Sequence, residues 1–267
     1  ILIKKWEPAM YLFKYILKRV ALMLLTFFII ITICFVLVKL LPNLPAEQFG
    51  KDMDLIMRRR ELLGYDLPIA QQYLRFLKYA FQGNFGIGET YKLGSEVWTV
   101  FTARLPYTMV LNLITILFSI PIGLMLGIFA ALKKNKWQDH VISTGVMIFV
   151  SVPPFIYALL VQYILYFKLG WASAIVDVNN GAWSWTFIKS AIPAILSMSF
   201  GTIAGFARYT RAELTEVLTS EFMLLARTKG LTRAQATVRH AMRNSMVPIF
   251  PMILGEFISI MSGSLII

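Results

Sequence analysis

Few residues in this 267-residue chain are of a type and spacing that could do chemistry. His140 and His240 are the only histidines. They stand 100 residues apart, each beside a basic segment, so they suggest neither a metal pair nor a base next to a nucleophile. Cys34 is the only cysteine and lies inside an apolar run. That excludes a disulfide framework and a thiolate cluster, and leaves Cys34 as an expected packing residue. The patterns GxxxxGK(S/T), HExxH, GxSxG and CxxC do not occur, so an intramembrane enzyme has no recognisable constellation to work with. The glycines at 83, 86 and 88 predict a turn; no lysine follows them as a phosphate loop requires. Glu256 is the one acid predicted at membrane depth. A carboxylate there either serves an ion-coupled pathway or lies near a helix start, within reach of water or Arg243. The second is favoured, because no partner for a coupled carrier is evident.

The elements that would position these groups are membrane spans. The chain is 58% hydrophobic and 15% charged, with a mean hydropathy of +0.68. Soluble chains carry about 25% charged residues. The composition therefore predicts an all-α integral membrane protein. Its net charge of +12 is read as cytoplasmic and lipid-contacting Lys and Arg, with no nucleic-acid partner.

Residues 1–9 are an unusual beginning, and Met10 is the more natural start. Residues 1–19 are expected to be cytoplasmic and 20–38 to form the first span, 19 residues without a charge. Residues 39–104 hold nine Lys/Arg and seven Asp/Glu, punctuated by Pro42, Pro45 and Pro68. They are expected to form a small extracytoplasmic domain, with short helices at 61–64 and 71–81. Further spans are expected at 105–132, 141–167 and 190–207, then a cytoplasmic loop at 208–245 and an incomplete fifth span at 246–267. Lys/Arg counts support this topology, with five in 1–19, three in 133–140, seven in 208–243 and two in the short outside loop. Trp171, Trp183 and Trp185 in that outside loop suit an interfacial belt.

Within the spans, Gly123 and Gly127 have the GxxxG spacing that lets two helices approach, and Pro121 is placed to kink the same span. Ser197, Gly201 and Gly205 form a second small-residue stripe, expected to serve helix packing. Ser151, Pro153 and Pro154 interrupt the 141–167 span. Two prolines free carbonyls that need partners inside protein or in a watery cavity, so these residues mark either a pathway or a packing kink.

The polar stretch at 211–248 predicts helix, break, helix. Leu214, Val217, Leu218, Phe222, Leu225 and Ala226 recur at helical spacing and are expected on one face. Gly230 suits a helix end. Thr232 and Gln235 form a capping-box pattern. A docking element and a solvated, Arg-rich loop both fit this pattern.

ARTKGL at 226–231, RHAMRN at 239–244 and Pro248 then bring a resemblance. This stretch resembles the permease subunits of binding-protein-dependent ABC importers, most closely the B-type subunit of oligopeptide, dipeptide and nickel permeases. Ala226 and Gly230 match the importer signature EAAx3Gx9IxLP; Leu224 and Leu225 depart from it, and 17 residues separate Gly230 from Pro248. Similar residues recur in order along the chain: LKR at 17–19, LGYDLP at 63–68, RLP at 104–106, SVP at 151–153 and IP at 192–193.

The resemblance implies a type I ABC importer transmembrane fold, with five of six spans present because the chain stops in mid-span. It implies a non-catalytic permease subunit in a bacterial-type inner membrane, multi-pass, with a cytoplasmic N-terminus. The implied partners are a homologous C-type permease, two cytoplasmic ABC ATPases that bind ATP and Mg, and an extracellular solute-binding protein delivering peptides. Cofactors in this chain itself are expected to be none. Leu225, Ala226, Arg227, Lys229, Gly230 and Leu231 would couple to the ATPase, with Ala226 letting the ATPase surface approach. Arg239, His240, Arg243, Asn244 and Pro248 would belong to the loop's second helix. Nickel or another small solute is the alternative cargo, and an ion-coupled carrier using Glu256 the less favoured mechanism.

Overall fold

The computed structural model describes residues 7–40, 58, 61, 64–88, 92, 95–173 and 175–260. The chain's first residues, Pro42, Pro45, most of the expected 61–64 helix and the end beyond Ile260 lie outside the described residues. Two compact units divide the chain at residues 100 and 101.

In the first unit, α1 (Glu7–Leu40) contains the first expected span. Thr26 and Thr32 donate to the carbonyls of Leu22 (2.9 Å) and Phe28 (2.7 Å), so their hydroxyls are satisfied within an apolar helix. Cys34 is exposed on α1. The packing role expected for it is not seen within this chain, because α1 leaves that face uncovered. Helix α2 (Ile69–Phe81) lies where a short helix was expected. Pro68 precedes it, and the Gln72 side chain donates to the carbonyls of Tyr65 (2.8 Å) and Leu67 (2.7 Å), pinning the LGYDLP turn. Tyr73 and Phe76 of α2 meet Phe35 of α1 at ring-centroid distances of 5.2 and 5.3 Å. Gly83 and Gly86 take φ of 78° and 85°, conformations open to glycine, which confirms the turn.

The second unit is arranged around one long helix. Helix α3 (Val97–Leu132) belongs to the second unit from Phe101 onward. It is followed by α4 (Trp137–Ser151), α5 (Pro154–Gln162) with a π-helical extension Tyr163–Lys168, and the central α6 (Trp185–Leu218). Then come α7 (Glu221–Thr228), α8 (Arg233–Ala236), a π-helical turn Thr237–Ala241, and α9 (Met242–Ser259). Helices α4, α5 and α9 all pack on α6. Helix α3 meets α6 through Gly123 and Gly127. A Cβ on Gly123 would stand 2.9 Å from the Ile203 carbonyl oxygen, and one on Gly127 2.7 Å from that of Ala207. Backbone therefore lies against backbone, as GxxxG spacing allows.

The interruption expected in the 141–167 span is seen: α4 and the α5 segment meet at 98° across Val152 and Pro153. Val152 has extended backbone and Pro153 starts a new helix, because neither proline can donate to the preceding turn. The helix that carries the expected 190–207 span does not stop near 207. Helix α6 continues to Leu218, since Thr210 and Leu214 prolong the buried face beyond Ala207. Charge marks a change of surroundings, and a helix can cross it. The helix that leads into the expected 246–267 span likewise begins before 246. Helices α8 and α9 form one helical run through the π turn, with Pro248 and Pro251 inside it.

Among the described residues, three helices are long and apolar enough to cross a membrane, or four if the bent pair forms one span. The tryptophans at 171, 183 and 185 are exposed. Tyr107 anchors the segment between α5 and α6 by donating to the Val178 carbonyl at 2.7 Å. Asn112 of α3 donates to the Ile260 carbonyl at 3.1 Å, supplying a partner where α9 ends.

Candidate functional site

The 211–248 stretch forms a folded elbow. Helix α6 ends because Thr219 donates to the carbonyls of Thr215 (3.1 Å) and Glu216 (3.0 Å), and Ser220 to that of Val217 (2.6 Å). These bonds satisfy terminal carbonyls and release the backbone. The face expected to run unbroken from Leu214 to Ala226 is thus divided between α6 and α7. Helix α7 ends in a Schellman motif: Leu231 N–H donates to the Ala226 carbonyl (3.3 Å) and Gly230 N–H to that of Arg227 (3.0 Å). Gly230 takes φ of +88°, which is why glycine belongs there. Thr232 then caps α8. Its hydroxyl accepts from Gln235 N–H at 3.3 Å, and the Gln235 side chain accepts from Thr232 N–H at 3.0 Å, completing the capping box.

Small buried residues hold the elbow to the bundle. Ala226, Ala236 and Ala241 form one core with Met223, Leu214 of α6 and Ala131 of α3, and Leu231 packs against it. Ala226 therefore faces inward, contrary to its expected role of admitting an ATPase surface. Its missing side chain lets the short helices sit close on their own bundle. Outward point Leu224 and Leu225, 63% and 55% exposed, with Arg227, Lys229, Val238, Arg239 and His240 also exposed. Two bare leucines framed by cations make a surface suited to docking. Arg243, Asn244 and Pro248 are exposed further along the same helical run.

One ion pair that the sequence reading missed ties this region down. Arg211 of α6 grips Asp139 in the first turn of α4 with both Nε and Nη2, the latter at 2.7 Å from Oδ2. Asp139 also accepts from the Asn135 N–H and the Ser143 hydroxyl. Asp139 precedes the apolar run starting at Val141. The Arg211 hydrogen bonds, outweighing burial, lower its pKa to about 2. A depressed carboxylate pKa adds stability above its unfolded value of 3.8, lost as pH falls through about 2. The clamp is therefore intact at neutral pH. The signal available in sequence was a lone acid among Lys133, Lys134 and Lys136.

The broken span borders a second feature. Phe149, Tyr157 and Phe200 form a mutual aromatic cluster with centroids 4.9 to 5.5 Å apart. The Tyr157 hydroxyl donates to the Ile148 carbonyl at 3.0 Å, a second donor beside the Val152 N–H at 3.2 Å. A cavity of about 440 Å³ opens beside it, lined by residues of α4, α5, α6 and α9, among them Phe149, Pro154, Gly201, Gly205 and Glu256. Pro154 reaches this cavity; Ser151 and Pro153 do not line it. Gly201 and Gly205, expected to pack helices, face open space instead, since a Cβ on either would meet nothing within 4 Å. Glu256 is half-buried near the C-terminal end of α9. It is thirteen residues beyond Arg243, roughly 20 Å along a helix. The favoured placement near a helix start, within reach of Arg243, is therefore wrong. Among the described residues no group of three metal-ligating side chains occurs.

Comparison with known proteins matches residues 123–267 to the family described as the binding-protein-dependent transport system inner membrane component. Residues 12–112 match the N-terminal part of the corresponding membrane component. The chain is 32% identical over 254 residues to the dipeptide transport system permease protein DppB of Lactococcus lactis subsp. cremoris, covering 95% of this chain and 81% of the relative. It is 28% identical over 257 residues to the glutathione transport system permease protein GsiC of Escherichia coli strain K12, with the same coverage. The GsiC of Shigella boydii matches equally well, at 28%.

Proposed function

This chain belongs to the family of binding-protein-dependent transport system inner membrane components, and from that premise we propose that it is the permease subunit of an ATP-driven importer of short peptides. It forms half of the translocation pathway and pairs with a homologous C-type permease. An extracellular solute-binding protein delivers the substrate. Two cytoplasmic ATPases bind the ATP and Mg, and this subunit carries no catalysis of its own. The relatives' dipeptide and glutathione cargoes support a peptide over nickel, and family membership sets aside an ion-coupled carrier. The N-terminus lies in the cytoplasm, as the Lys/Arg distribution favours.

The observation that carries the coupling role is the elbow. A rigid docking element must be fixed to its own spans while presenting a surface outward. Here a Schellman motif, a capping box and an alanine-rich core fix it, while Leu224, Leu225, Arg227 and Lys229 remain exposed. Force from the ATPases enters through α7 and passes to α6 and α3 through Leu214 and Ala131. The Asp139–Arg211 clamp carries it on to α4.

The test is reconstitution of the whole complex in proteoliposomes. ATP-dependent uptake of a tripeptide is expected. Leu225→Glu should abolish uptake while ATP hydrolysis by the ATPases persists and the subunit still inserts. Full uptake by L225E would remove the docking role from α7.

A further inference from the structure

The cavity between α4, α5, α6 and α9 says what kind of group it can hold, because a carboxylate and three hydroxyls among its polar side chains are one-sided, while the Tyr209 hydroxyl can donate or accept. The Ser197 hydroxyl donates to the Pro193 carbonyl at 2.6 Å, that of Tyr157 to Ile148 at 3.0 Å, and that of Thr202 to Met198 at 3.4 Å. Each hydroxyl hydrogen is committed to a helix carbonyl, so these groups offer an occupant only lone pairs. Glu256 adds a carboxylate. The Ser259 hydroxyl donates to the Glu256 backbone carbonyl at 2.7 Å and lies 3.4 Å from Oε2, and no cation pairs with the carboxylate among the described residues. Phe149, Tyr157 and Tyr209 add aromatic rings to the lining, and a cation, Arg208, already lies 5.2 Å from the Tyr209 ring centroid. Gly201 and Gly205 keep one wall free of side chains. A bare divalent ion does not suit the site, since one carboxylate falls short of the oxygen cage such ions require. An organic ammonium, with N–H donors, positive charge and an apolar stem, suits Glu256, the three accepting hydroxyls and the apolar lining of Met198, Phe206 and Met252.

We propose that Glu256 is a substrate-binding residue that receives an ammonium group in the cavity, supplied by the free α-amine of a peptide or by a basic side chain. This deepens the peptide-importer reading and rests on it.

The experiment uses the intact reconstituted complex with its binding protein, and follows ATP-driven uptake of Ala-Ala-Ala, Lys-Ala-Ala and N-acetyl-Ala-Ala-Ala. Each probe is supplied at a concentration that saturates the binding protein. Glu256→Gln keeps the side chain's size and removes its charge. It should lower uptake of the ammonium-bearing probes roughly tenfold relative to the acetylated one, the factor that about 1.4 kcal/mol produces. A fall for both Ala-Ala-Ala and Lys-Ala-Ala assigns the α-amine; a fall confined to Lys-Ala-Ala assigns the basic side chain. An equal fall for all three probes, or none, overturns the proposal. Glu256→Asp retains the charge and should keep the wild-type preference; loss of that preference in an assembled complex also overturns it. Failure of the wild-type complex to transport any of the three sinks the importer reading itself, a separate and recognisable result.

Discussion

Two glycine pairs at four-residue spacing, one on α3 facing α6 and one on α6 itself, do opposite things. On one face of α6, Ile203, Ala207 and Thr210 receive Gly123 and Gly127 of α3, with no room for a Cβ between the helices. On the other, Gly201 and Gly205 touch nothing and open onto the cavity that Glu256 lines. Small residues at four-residue spacing thus mean that something other than their own side chains occupies the space. In the closed face that occupant is a helix backbone. In the open face the space belongs to the cavity.

This comparison can be broken by substitution. Gly127→Leu should have the largest effect. A Cβ there would lie 2.6 Å from Thr210 Cβ and 2.7 Å from the Ala207 carbonyl oxygen. Backbone cannot yield cheaply, so a loss of about 3 kcal/mol or more is expected, seen as failure to assemble or a collapsed melting temperature in detergent. Gly205→Leu should leave assembly intact while obstructing uptake. Equal collapse in both variants would erase the distinction between the faces.

Arg211→Ala should rank next. It leaves Asp139, 1% exposed, with a buried charge and only Asn135 and Ser143 to hold it. Because the Arg211 side chain is itself 33% exposed, the loss should be about 2 kcal/mol, below the full range for buried pairs. Thermal unfolding would show it. Asp139→Asn with Arg211→Gln should recover part of the loss, which a purely steric account would not give.

Gly230→Ala should cost about 1 kcal/mol, the penalty for forcing a Cβ into the left-handed region, with no steric clash added. Hydrogen exchange at the α7–α8 junction would report it. Gly205→Ala should be smallest and of opposite sign. An alanine in an open, mid-helix position should stabilise α6 by about 0.5 kcal/mol and raise the melting temperature slightly. A destabilisation there would mean that something already occupies the open face.

Sequence alone determined the features governed by local rules. Apolar run length marked the helices. The Thr232–Gln235 box and the Gly230 break followed from capping and backbone preferences that need no neighbours. The ordered motifs carried the family. What the tertiary structure decided were the questions of which neighbour lies on which face. Ala226 turned inward because α3 and α6 supply a core beneath α7. Helix α6 ran past its last uncharged residue because its buried face continues. Asp139 found Arg211, 72 residues away, and Glu256 reached a cavity far from Arg243. Each outcome depends on helix pairs distant in sequence, and a periodic pattern names a face without naming what meets it.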